Sequence, residues 1–180
     1  ELLYKFHNDH EDQRDLEAFY LIKLISNADI EQVNRALLIR GVSEMNYVAL
    51  LHFLHRYLKS NDELWQDEII KVALIRAQRN MLDEELRSLL LGYLESESLE
   101  IQLAATDLLN QYRDEALNRK VLQKVRGVDE YRDFSLLKTF CSEYRDNQEE
   151  VIRNLSHLDA EYVIKLIQMV QPELVLADGI

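Results

Sequence analysis

Three kinds of side-chain group have the types and spacing to do chemistry: histidines among carboxylates, paired carboxylates, and a run of bases. The run H-N-D-H-E-D, from His7 to Asp12, sets two histidines among three carboxylates. Nitrogen and oxygen donors of this kind suit zinc or nickel. The same residues read as a helix cap, with Asn8 or Asp9 opening the first clear helix, so no metal is assigned to His7 and His10. His52 and His55, within L-H-F-L-H-R-Y, stand three apart on a helix and can approach one ion. No Glu-x-x-His or His-Glu-x-x-His pattern supplies the further ligand or the base. His157 has no partner visible in the sequence.

The carboxylate pairs Asp67-Glu68, Glu84-Glu85 and Glu149-Glu150 raise the question of acid–base catalysis. Such catalysis needs two carboxylates in different environments across a cleft. These pairs instead lie near expected helix N-termini, where negative charge suits the helix dipole. The single cysteine, Cys141, has no histidine near it in sequence and reads as a structural thiol. Neither catalytic residues nor a cofactor are therefore assigned, and the expectation is a protein that is not an enzyme.

The one local basic cluster is Arg119, Lys120, Lys124 and Arg126. Arg119, Lys120 and Lys124 can share an exposed helix face and grip an acidic peptide or a phosphate. They equally suit the solvated half of a helix in an acidic protein. No Gly-rich phosphate loop accompanies them. These four residues are the candidate partner-binding site.

The elements that must position these groups are helices. Of 180 residues only 4 are Gly and 1 is Pro, too few to punctuate a sheet protein, and 47% are hydrophobic. The formal charge of −12 argues against nucleic acid as a partner, because phosphate binding needs clustered Lys and Arg. It favours solubility and basic protein partners. No run approaches the ~20 apolar residues of a membrane span, and a lone cysteine is compatible with a reducing compartment. A cytoplasmic location is expected, either of the chain itself or of the cytoplasmic part of a larger protein.

Apolar spacing predicts helices over 11–26, 30–40, 43–59, 63–80, 83–94, 98–110 and onward to 170. The first carries Leu16, Phe19, Tyr20 and Leu24 on one face. The second carries Ile30, Val33, Leu37 and Leu38, is capped by Asp29 and is closed by Gly41; Ser43 caps the third. Short connections make neighbours antiparallel hairpins. A β-branched residue followed three positions later by Ala recurs at Val33…Ala36, Ile70…Ala73 and Ile101…Ala104, with separations of 37 and 31 residues. A period of ~30–40 residues marks a helical repeat.

The stretch from Ser98 to Gly127 resembles the HEAT-like repeat family, chiefly in L-E-I-Q-L-A-A-T-D-L-L: an acidic start, an aliphatic residue, then paired alanines. The family often has Arg directly after the aliphatic position. Gln102 stands there in this stretch, Lys71 partly restores the feature, and Asn34 does not. The resemblance implies an all-α fold, an α-solenoid (α-α superhelix) of stacked antiparallel helix pairs. The chain is then one helical-repeat domain over 1–180, with units 11–59, 62–95, 98–127 and 129–158 and a capping helix over 159–171. It also implies a scaffold that binds a partner protein through one face of the stack. Two alternatives stand beside it: a regulatory or assembly domain cut from a larger, membrane-anchored protein, and a ligand-binding or enzymatic protein that uses the concave groove. The sequence leaves the oligomeric state open.

Overall fold

Short polar side chains begin most of the helices. In the computed structural model, which describes residues 11–45, 47–112, 115–141 and 153–170, Asp67, Asp83 and Ser98 each accept a hydrogen bond from a backbone N–H of the first turn that follows. Asp129 does so for Arg132, and Asp159 for Glu161 and Tyr162. These N–H groups have no partner inside their own helix, so the caps fix where each helix starts.

The resulting helices are α1 (Glu11–Ile25), α2 (Gln32–Glu44), α3 (Val48–Leu58), α4 (Glu68–Arg76), α5 (Glu84–Tyr93), α6 (Leu99–Asn110), α7 (Glu115–Leu122), α8 (Glu130–Cys141) and α9 (Ala160–Val170). A 3-10 turn, Glu63–Trp65, precedes α4. No strand occurs among the described residues, and the protein is all-α. The chain forms two compact units, Glu1–Met81 and Leu82–Ile180, so the division falls inside the segment 62–95.

In the first unit α2 packs most heavily on α4, while α1 and α3 lie against α2 and each other. The core is built from Leu21, Ile25, Ile39, Leu50, Leu54, Leu58, Ile70 and Leu74. Trp65 is buried and stacks on Tyr57, ring centroids 4.0 Å apart. In the second unit α8 packs on both α6 and α9, and α5 packs on α6. There the core holds Leu86, Leu90, Ala105, Leu109, Val121, Leu137 and Leu166.

Five expectations fail in the first unit. Gly41 does not end its helix: α2 runs on to Glu44 and so buries Val42 one residue further along. Ser43 is consequently inside that helix and bonds back to the Arg40 carbonyl instead of capping α3. Asp29 is not the cap of α2, whose N-cap is Glu31. The expected inner faces also point outward. Leu16, Phe19, Tyr20 and Leu24 of α1 are 56%, 51%, 62% and 43% exposed, and Val33 and Leu37 of α2 are 57% and 60% exposed. Both helices carry apolar residues on more than one face, so periodicity alone cannot say which face turns inward. The expected helix over 63–80 is interrupted because Asp67 takes the N–H groups of Ile69 and Ile70 and starts a new helix.

The residues at the helix starts, Glu31, Asp67, Ser98, Asp129 and Asp159, give a more regular register than the Ala anchors, although Glu31 makes no side-chain cap bond. They are separated by 36, 31, 31 and 30 residues. The residue four after each cap is Arg35, Lys71, Gln102, Asp133 or Val163, and all five are buried. The correct partner of Ile70 and Ile101 is thus Asn34, one residue beyond Val33. The buried base that follows it is Arg35.

Candidate partner-binding surfaces

The buried polar residues at this repeated position tie each helix to the end of the one before it. Arg35 donates from Nε to the Ile25 carbonyl (2.9 Å) and from Nη2 to the Asn27 carbonyl (2.7 Å), at the end of α1. Lys71 Nζ donates to the Leu58 carbonyl at the end of α3 (3.3 Å), and burial holds its pKa below the usual lysine value. The Gln102 amide donates to the Ser96 carbonyl just past α5. Helix C-termini leave carbonyls unsatisfied, and donors supplied from a neighbouring helix satisfy them.

At Asp133 the chemistry inverts. Gly127 has φ of 72°, a left-handed conformation in which glycine avoids the Cβ penalty. The loop presents N–H groups, and the buried Asp133 carboxylate accepts from Arg126 N (3.1 Å), Gly127 N (2.6 Å) and Tyr162 Oη (3.0 Å). Burial first, then the hydrogen bond to Asp133, pushes the Tyr162 pKa up to about 12.

The four bases singled out from the sequence do not act alike. Arg119 and Lys120 lie exposed in the last turn of α7. Lys124, past the end of that helix, is only 19% exposed at its side chain and ion-pairs with Glu95. Arg126 reaches the other oxygen of the same carboxylate at 3.9 Å. Burial, then Arg126 and Arg132, lowers the Lys124 pKa. Arg132 was not visible as a member because its approach depends on how α8 follows the loop. An acidic side chain of the same unit thus already engages two of the four bases.

His52 and His55 give no common site. His52 is exposed, whereas His55 is buried with Nδ1 3.1 Å from Gln78 Oε1. His7 and His10 lie outside the described residues. His157 sits with Nε2 3.0 Å from the Val125 carbonyl. Among the described residues, no three His, Cys, Asp or Glu side chains gather as a metal site. Asp67 and Glu84 are occupied at helix starts, Glu84 also pairing with Arg87 at 3.0 Å. Glu149 and Glu150 lie outside the described residues.

One feature that the sequence did not reveal is a groove of about 680 Å³ in the first unit. Its floor is apolar, formed by Leu21 of α1, Ile30, and Leu37 and Leu38 of α2, and its lining includes Asp29, Glu31 and Glu44. The exposed face of α2 gives this groove its wall.

Fold and surfaces define an all-α protein whose described residues include no helix long and apolar enough to cross a membrane. Comparison with protein-family models, curated protein sequences and solved structures finds no match to the chain.

Proposed function

We propose that this protein is a non-enzymatic binding module, a HEAT-like α-solenoid that engages a partner protein through one face of its stacked helices. The observation that carries this reading is the solvent-facing apolar row of α1. Leu16, Phe19, Tyr20 and Leu24 are spaced as a helix–helix contact requires and are all at least 43% exposed. Scattered exposed apolar residues are ordinary on a soluble protein, but a contiguous row marks an interaction surface. The stacking of α2 on α4, and of α8 on α6 and α9, supports a repeat architecture within each unit. So does the regular interval between caps.

Affinity capture with the whole chain tests this function. One arm uses the parent, and the other uses a variant carrying Phe19→Asp and Tyr20→Asp. The expected result is a protein enriched by the parent and lost with the variant, with the two baits showing equal circular dichroism. Recovery of a small ligand or substrate, with no protein enriched, overturns the proposal.

A further inference from the structure

The first-unit groove has a shape, a charge pattern and an unexplained glycine that together specify a ligand. Along α2 it is lined by the row Asn34, Leu37, Leu38, Gly41 and Met45, the last just beyond the helix. That row extends over about three helical turns, or ~16 Å at 1.5 Å per residue. Asp29 and Glu31 stand at the start of α2, and Glu44 stands at its other end. Glu44 is paired with Arg40 at 3.2 Å, but both side chains are more than half exposed and can exchange partners readily.

Gly41 is the second observation. It lies inside α2, where glycine weakens a helix relative to alanine. Its φ is not positive, and a Cβ built on it meets no atom within 4 Å. Neither backbone conformation nor packing within the fold requires a glycine at this place. Its missing side chain leaves the middle of the groove wall open, between apolar neighbours, where another backbone can come close.

We infer that this groove binds a basic amphipathic helix of a partner protein, with apolar residues spaced i, i+3 or i+4, and i+7, and with Lys or Arg flanking them at both ends. The apolar residues fill the floor formed by Leu37, Leu38 and Ile30, and the partner backbone passes over Gly41. The flanking bases meet Asp29 and Glu31 at one end and Glu44 at the other. Grooves of this kind read an amphipathic helix through just such anchors. The charge of −12 on the whole chain speeds the encounter with a basic segment. The inference rests on the protein-binding function proposed above and adds, beside the α1 row, a second contact place and a ligand class.

The test uses the full chain and three labelled synthetic peptides read by fluorescence anisotropy. One has leucines at the stated spacing with lysines at both ends, the second has glutamates in place of the lysines, and the third is a scramble of the first. The lysine peptide alone is expected to bind, and more weakly as salt is raised. Gly41→Leu fills the gap and is expected to weaken binding at least tenfold while holding or raising the melting temperature. Asp29→Asn with Glu31→Gln should weaken binding several-fold, whereas Glu84→Gln in the other unit should leave it unchanged.

Equal binding of the glutamate or scrambled peptide overturns the inference, as does undiminished binding by Gly41→Leu. Sedimentation of the chain alone provides a separate check. A dimer that Gly41→Leu dissociates means that a second copy occupies the groove, which also overturns it. If Gly41→Leu still captures the same protein as the parent, the groove assignment fails while the protein-binding function stands. If neither bait captures a protein, both fail.

Discussion

The guanidinium of Arg35 closes on the carbonyl of Ile25, with Nε 2.9 Å from the oxygen, although the two residues belong to different helices. Arg35 is 2% exposed, and its second nitrogen reaches Asn27, so one side chain fastens α2 to the end of α1. It also lies with its guanidinium carbon 5.8 Å from the centroid of the Trp65 ring. Arg35→Ala removes both bonds, leaves the Ile25 carbonyl without this donor while the Asn27 carbonyl keeps the Ile30 N–H, and opens a cavity beside Trp65. The expected cost is about 3 kcal/mol in a urea titration. Arg35→Lys keeps the charge but cannot fork to two carbonyls, and is expected to recover less than half of that loss. Equal stability of Arg35→Ala and the parent would show that this side chain does not hold α2 to the end of α1.

The inversion at Asp133 gives a second expectation. Asp133→Asn turns one acceptor oxygen into an N–H₂ donor that faces the N–H of Arg126 or Gly127. About 2 kcal/mol should be lost, because a buried donor is left without an acceptor. Gly127→Ala should cost about 1–2 kcal/mol, since φ of 72° disfavours a Cβ that would also stand 3.2 Å from Leu158 Cδ2. Both are read from chemical denaturation midpoints, and a neutral result for Asp133→Asn rules out the proposed acceptor role.

Helix starts were legible in the second half of the chain and shifted in the first, for a physical reason. Ser98 and Asp159 were legible as the starts of their helices because each precedes a clean apolar period, and Ala104, Ala105, Leu108 and Leu109 are buried as that period requires. In α2 the strongest apolar spacing, Val33 with Leu37, lies on the exposed face. The buried position is taken by a charged residue, Arg35, whose burial depends on two carbonyls of a separate segment. No local pattern carries that information. The groove was invisible for the same reason: it needs Leu21 of one helix opposite Leu37 and Leu38 of the next. The basic cluster was legible as composition, but its ion pair with Glu95 joins residues 29 positions apart.

The paired alanines of α6 allow a direct test of which face is inward. Ala104 is 2% exposed and Ala105 is fully buried. Ala104→Arg adds both volume and charge to a packed seam, so a loss of at least ~3 kcal/mol is expected. Ala104→Gly adds neither and should lose only about 1 kcal/mol through helix propensity. Thermal melts separate the two. If Ala104→Arg melts with the parent, the assigned packing face of α6 is wrong.

Alkaline pH should unfold the protein through its tyrosines. Burial is the leading cause that pushes Tyr93, Tyr112 and Tyr162 each up to about 12 from the usual tyrosine value of 10.0. Between pH 10 and 12 the unfolded chain therefore loses phenolic protons that the folded chain retains, and stability falls as pH rises. Lys71 and Lys124 act in the opposite sense. Their pKa values lie below 10.5 in the folded state, so just below that pH the unfolded chain binds more protons and stability rises with pH. Denaturation midpoints measured from pH 8 to 12 should accordingly hold or rise slightly before falling. Tyr162→Phe should flatten the fall, whatever its effect at neutral pH. An unchanged slope would show that this phenol does not contribute.

Glu95 decides whether the basic cluster is open to an acidic partner. Lys124 ion-pairs with its carboxylate, Arg126 stands 3.9 Å from its other oxygen, and Arg132 adds to the positive field at Lys124. Glu95 is itself 63% exposed, so removing its charge should change stability by less than about 1 kcal/mol. Glu95→Gln leaves three bases without that counter-charge and should raise the salt needed to elute the protein from immobilised heparin. Lys124→Met in the Glu95→Gln background should bring elution back toward the parent. If Glu95→Gln and the parent elute together, these bases serve the fold and not a partner, because an anion-binding surface held in check by one carboxylate must strengthen when that carboxylate is neutralised.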